Sequence, residues 1–209
     1  MIGDEQVAVI DPGPDVESHI RALSRMVEGS DAVQILITHG HRDHAAVAPR
    51  LARLLEAPLL APRGYEPAEA EYLQLATVEE GDRISTDEGD LEVLEIPGHS
   101  RDHVAFHWLD ASALFVGDLL LGRGNTTWVG EYLGCVEDYL ASLDKVQALG
   151  LSVFYPTHGP PITHPARAVE RFRRHRVGRL EEVRRVREEH PDSDPRRIAE
   201  IIYGGEIPP

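Results

Sequence analysis

Cysteine is nearly absent: one residue, Cys135, in a chain of 209. That excludes an internal disulfide framework and a thiolate cage for a metal. No apolar run approaches the roughly 18 residues needed to span a membrane, so no membrane partner is expected. The opening MIGDEQVAVIDPGPD lacks the basic and apolar regions of a secretory signal, and a cytoplasmic protein is expected. Positive charge is scarce, with 21 Lys and Arg against 36 Asp and Glu and a formal net charge of −15. Such a surface repels polyanions unless a local basic patch overrides it. There is no G-x-S-x-G nucleophile elbow, no internal repeat and no low-complexity tract.

What is present is enough apolar residue, 42%, to build the core of one domain with at most a small appendage. Short apolar runs of strand length occur at Val7–Ile10, Val33–Ile37, Leu59–Ala61, Leu91–Ile96, Val104–Leu109, Ala113–Val116 and Val153–Tyr155. Helical spacing separates several of them, over Val16–Val27, Ala45–Leu55 and Val136–Leu149. Alternation at this density predicts an α/β fold with helices packed outside sheets. After Pro165 the composition changes. Arg167–His190 carries nine arginines and five glutamates, about +4, leaving about −19 for the remainder, and a short helix over Asp194–Tyr203 follows Pro191. The expected division is therefore 1–165 and an Arg-rich helical segment, 166–209.

Eleven histidines are the other unusual count. Three of them, with one carboxylate, fall in Thr38-His39-Gly40-His41-Arg42-Asp43-His44, directly after the strand Val33–Ile37. In extended backbone, residues i and i+2 project to one side, so His39 and His41 can chelate one ion together. Asp43 and His44, on the turn into the next helix, point elsewhere and suit a second. Imidazole and carboxylate without thiolate fit zinc, and also iron, manganese or nickel. No packing requirement explains four polar groups at the end of a buried strand.

Three single residues share that setting: His99 in Pro97-Gly98-His99-Ser100, Asp118 in Val116-Gly117-Asp118, and His158 in Pro156-Thr157-His158-Gly159-Pro160. Each lies just past a predicted strand beside Gly or Pro, where the sites of α/β proteins collect. Five histidines and two aspartates suffice for two metals with open positions.

The ordered series THGHRDH, PGHS, GDLL and PTHGPP resembles the motif series of the metallo-β-lactamase superfamily, over nearly all of Val7 to Ile162. The resemblance implies a four-layer αββα sandwich with the metals at one edge and a short C-terminal helical extension. It implies that His39, His41 and His99 hold a first zinc, that Asp43, His44 and His158 hold a second, and that Asp118 bridges the two. GHSRDHVAF, GRGNTTWVGEYLGCVEDYLASLDKV and the late His175-Arg176 pair resemble the branch around the mitochondrial endoribonuclease known as β-lactamase-like protein 2, which is also similar to fungal acyl-carrier thioesterases and, more distantly, to glyoxalase II. Relatives usually carry strands before the stretch equivalent to Val7–Ile10 and a fuller helical cap after Arg196–Tyr203. The expectation is therefore either a first sheet that lacks opening strands or a chain that starts at an internal methionine.

Two zinc ions, or iron or manganese in their place, would acidify a shared water and deliver a bridging hydroxide to a carbonyl carbon or a phosphorus. Asp118 and Asp43 are the expected catalytic carboxylates. The expected activity is hydrolysis of a small-molecule ester or thioester. A single-strand-specific endoribonuclease, with single-stranded RNA as partner, and a single-iron sulfur dioxygenase are the alternatives; a homo-oligomer is left open. Asn125, Thr126, Thr127 and Trp128 form a loop after Asp118 that is expected to line the substrate cleft or, equally, to be plain surface. Asp11 orients a ligand histidine or caps a turn. His103 supports His99 or is a hydrogen-bonded structural residue. Arg171, Arg173, Arg174, Arg176 and Arg179 form a solvated helix face or an anion clamp.

Overall fold

Side chains alternate along the first strand, and the two sides meet different neighbours. In the computed structural model, which describes residues 1–68 and 70–204, β1 (Gln6–Ile10) sends Val7 and Val9 towards a helix layer and Ala8 towards a second sheet. β2 (Ala32–Leu36) continues the pattern, with Ile35 and Ile37 on the helix side and Leu36 inside. With β3 (Leu59–Pro62) and β4 (Leu75–Val78) they form a parallel sheet in the order β1-β2-β3-β4. The edge strand β1 is bridged on its free side by Ile2, paired with Ala8.

The second sheet holds β5 (Arg83–Thr86), β6 (Gly89–Glu95), β7 (Val104–Trp108), β8 (Ala113–Gly117) and β9 (Val153–Pro156) in sequence order. Its pairs are antiparallel except β8 with β9. Leu91, Val93, Val104 and Phe106 face the first sheet, while Leu94, Ala105, Leu114 and Val116 face α4 (Cys135–Ala148) and α5 (Pro165–Glu189). α1 (Glu17–Met26), α2 (Arg42–Ala45) and α3 (Ala48–Leu54) cover the other outside face. The result is a four-layer αββα sandwich, stabilised by burying apolar side chains on both faces of both sheets. α6 (Pro195–Tyr203) packs on α5. Of the segment 166–209, residues 205–209 lie outside the described residues. Ala168, Val169 and Phe172 of α5 belong to the same apolar cluster as Tyr139, Leu143 and Val146 of α4.

Two local expectations are corrected. The single helix expected over 45–55 is two, because the Val47 amide bonds the Gly13 carbonyl at 3.2 Å instead of continuing the turn, and Pro49 starts a new helix. β4 and β5 were not foreseen; they are half-exposed strands with one and two buried residues, too few to show a clear period.

Candidate metal centre

All seven expected donors stand at one rim of the sandwich, where strands from both sheets end. β2 delivers His39, His41, Asp43 and His44; the turn after β6 delivers His99; β8 ends at Asp118 and β9 at His158. Donor atoms of His39, His41 and His99 lie within 4.8 Å of one another, as do those of His39, His44 and Asp118, and those of Asp43, His44 and His158.

Asp11 organises the floor. It follows β1 in a left-handed conformation (φ 47°), and its carboxylate is almost wholly buried. Oδ1 accepts the Thr38 amide at 2.7 Å; Oδ2 accepts the Thr38 hydroxyl at 2.9 Å, His44 Nδ1–H at 2.8 Å and the Thr157 hydroxyl at 2.8 Å. Because Thr38 gives its proton to Asp11, its oxygen accepts from His39 Nδ1–H at 3.0 Å. These bonds place a proton on Nδ1 of both rings and turn both Nε2 atoms towards the cluster. Both Nε2 atoms, and Oδ1 of Asp118, are buried without a hydrogen-bond partner.

The same reasoning applies to the other pair. His99 donates Nδ1–H to the Trp128 carbonyl at 2.9 Å, and His41 donates Nε2–H to Glu131 at 3.3 Å. The remaining nitrogens, His99 Nε2 and His41 Nδ1, therefore face each other at 3.0 Å. At that distance the two nitrogens are within hydrogen-bond reach, and a cation between them would equally hold them together. Asp118 Oδ2 sits 3.5 Å from His44 Nε2, 3.7 Å from His99 Nε2 and 3.6 Å from His158 Nε2, and so touches both halves of the cluster. Asp43 Oδ2 is 3.1 Å from His158 Nε2.

The electrostatics favour ligation. Burial, and then the crowd of neighbouring imidazoles, pushes the His39 pKa far down; burial also lowers His99, against the opposing pull of Asp118. Both rings are therefore neutral at physiological pH. Burial works against the His44 cation, but Asp11 and Asp118 outweigh it and raise its pKa to about 10. Burial would likewise raise Asp118, but His44, His158 and His99 hold it below the usual carboxylate range. Two neutral imidazoles, an ionised Asp118 and three orphaned buried atoms fit a divalent metal site, in which the ion would take the place of the His44 proton.

Other expectations resolve differently. His103 is wholly buried, donates Nδ1–H to the Ile96 carbonyl at 3.2 Å and accepts the Asp118 amide at 3.1 Å; burial lowers its pKa to about 3. It thus holds the main chain of Asp118 in place. A Cβ at Gly117 (φ 50°) would stand 2.4 Å from that ring, so only glycine fits there. His107 stands 3.8 Å from Glu92, away from the cluster. Asn125 and Thr126 are exposed and Trp128 is 65% exposed, whereas Thr127 is buried. Farther along the same loop, Glu131 and Tyr132 line a cleft of about 720 Å³ with Pro62, Val78, Arg101 and Asp102; none of the seven donors lines it, and Glu131 links it to His41. The α5 arginines are engaged within the protein: Arg171 with the Gly124 carbonyl, Arg173 with Asp144, Arg174 with Glu170, Arg176 with the Thr127 carbonyl and Arg179 with Glu182. Cys135 is buried at the start of α4. Among the described residues, no helix is long and apolar enough to cross a membrane.

Thr38, Thr157 and Glu131 were not anticipated. The threonines had a signal, since two of the four motifs that end a strand in this cluster, THGHRDH and PTHGPP, read Thr-His. Glu131 had none.

Comparison with known proteins agrees with this geometry. The model of the metallo-beta-lactamase superfamily matches residues 1–158. A beta-lactamase-like protein 2 homolog of Caenorhabditis elegans is 27% identical over 207 residues, covering 96% of this chain and 68% of its own. An atrochrysone carboxyl ACP thioesterase of Aspergillus fumigatus is 34% identical over 142 residues, covering 65% of this chain and 41% of its own. The chain thus spans about two thirds of the first relative and about two fifths of the second. A crystal structure of a metallo-beta-lactamase family protein from Thermus thermophilus superposes with a TM-score of 0.73 at 24% identity, covering 87% of this chain and 74% of the other. The chain belongs to the metallo-β-lactamase superfamily.

Proposed function

We propose that the protein is a binuclear zinc hydrolase of esters or thioesters. His39, His41 and His99 would hold one ion, Asp43, His44 and His158 the other, and Asp118 would lie between them. The three orphaned buried atoms, His39 Nε2, His44 Nε2 and Asp118 Oδ1, in donor groups that converge within 4.8 Å, carry this reading. When bound, two divalent ions supply an acidified water and a Lewis acid for the carbonyl oxygen. The chain does the rest. Asp11 and Thr38 hold His39 and His44 in ligating tautomers. Asp118, kept ionised by three histidines, offers both oxygens at all times. Exposure rises from buried His39 and His44 to His41, His158 and Asp43, whose side chains are 36, 47 and 56% exposed, so substrate approaches over that rim. The 720 Å³ cleft, joined to His41 through Glu131, would take the acyl or thiol portion. No serine or cysteine nucleophile is required.

The thioesterase relative supports the thioester reading. The engaged arginines of α5 weigh against an RNA track along that helix. The division into a catalytic part, 1–165, and a helical segment, 166–209, belongs to this proposal; the segment would brace the 118–134 loop through Arg171 and Arg176. A cytoplasmic location is part of it too. The test is metal analysis of the purified protein together with turnover of acyl thioesters and of short single-stranded RNA. Two zinc ions with thioester turnover support the proposal. RNA cleavage that falls steeply with salt, or one iron with oxygen consumption, overturns it.

A further inference from the structure

Between β8 and α4 the chain runs without strand or helix from Asp118 to Gly134. It touches the first imidazole group through the Trp128 carbonyl and the Thr127 hydroxyl on His99 and through the Glu131 carboxylate on His41. The three rings of that group are unequally supported. His39 is buried and tied through Thr38 to Asp11, and His99 is buried and tied to main chain. His41 is 36% exposed, and its second nitrogen has one partner among the described residues, Glu131.

We propose that Glu131 is a positioning residue for metal binding at His41: its carboxylate takes Nε2–H, fixes the ring, and so aims the Nδ1 lone pair at the point shared with His39 and His99. This rests on the reading that these three histidines hold an ion. Glu131 is itself 42% exposed, and an exposed pair of this kind contributes little to stability. A merely structural role would therefore leave almost no trace on removal. A carboxylate behind a ligating imidazole, by contrast, typically supports about 10–100-fold in metal affinity. Glu131 also lines the cleft beside Tyr132, whose hydroxyl is anchored on Asp138 at 2.8 Å and whose ring carries the Arg101 guanidinium at 4.3 Å. The wall of the cleft and the support of a ligand are thus one piece of chain.

The experiment uses the full chain stripped of metal and titrated with Zn²⁺ in competition with a chelator, which resolves the successive binding steps. Glu131→Ala should weaken one step about 10–100-fold, leave the other unchanged, and move the unfolding midpoint of the stripped protein by no more than about 3 °C. Glu131→Gln keeps an acceptor oxygen and should recover part of the loss. ¹⁵N NMR of the histidine rings should show a single Nε2–H tautomer for His41 in the parent and a mixture in Glu131→Ala. Parental affinity in Glu131→Ala, with an unchanged tautomer, overturns the proposal. His41→Ala separates the layers. If it keeps both binding steps, the ligand reading itself falls; if it loses one while Glu131→Ala keeps both, only the role of Glu131 falls.

Discussion

The two halves of the donor cluster are built differently. His39, His41 and His99 form an all-imidazole half, in which a threonine, a carboxylate and a carbonyl each take one ring N–H. In the other half His44 is equally well held, but Asp43 and His158 are about half exposed and have mainly each other. Donors held in place lose little freedom on ligation, whereas Asp43 and His158 must be ordered when an ion arrives. The first half should therefore bind more tightly, and the second should exchange ions more readily and present the rim to substrate.

Removing the one group common to both halves should have the largest effect. Asp118→Ala is expected to lose both ions and to bring turnover to background, read by metal analysis beside activity; normal turnover with one ion or none would break the assignment. Next, His99→Ala and His158→Ala should differ in kind. Each loses more than the roughly 10–100-fold that an outer contact supplies, but His158→Ala should retain one tightly held ion under mild chelation. If both variants lose ions alike, the two halves are equivalent. Asp11→Asn should fall between, weakening both steps by about 10–100-fold, because Asp11 supports His44 directly and His39 through Thr38.

The smallest effect is on the stability of the stripped protein against pH. His39 and His103 are neutral when folded, with His103 at about 3 against about 6.5 unfolded. Below pH 6.5 the unfolded chain therefore binds protons that the folded one does not. Each such group lowers stability by up to about 1.4 kcal/mol per pH unit as the pH falls. His44, raised to about 10, acts in the opposite sense: its contribution is complete below 6.5 and is lost as the pH rises towards 10. Urea midpoints should thus be lower at pH 5 and at pH 9.5 than near pH 6.5–7. A flat profile would mean that neither group of histidines feels its surroundings as described.

The sequence disclosed most of the centre because its chemistry is concentrated. His39 to Asp43 spell out their own alternation, and His99, Asp118 and His158 each follow an apolar strand. The α/β layering was legible for the same reason, through runs such as Val33–Ile37, while the four-layer sandwich was what the resemblance of the motif series implied. What escaped was whatever depends on partners far along the chain. Glu131 meets His41 across 90 residues, and nothing beside it distinguishes it from other surface acids. The break before α3 depends on Gly13, over thirty residues away. For the arginines of α5 the sequence left a solvated face and an anion clamp open, because only the folded structure shows that Arg171 and Arg176 reach the 118–134 loop and Arg173 reaches Asp144.

The bond from Thr157 to Asp11 closes a loop of 146 residues and joins the last strand of one sheet to the first strand of the other. The cluster draws its side chains from both sheets, so it is complete only in a chain in which both sheets are joined. An ion captured there would select finished molecules over partly folded ones. At a free concentration of 1,000 times its dissociation constant it would deepen the native well by about 4 kcal/mol. Metal supply would then govern how long the protein survives in its surroundings as well as how fast it works.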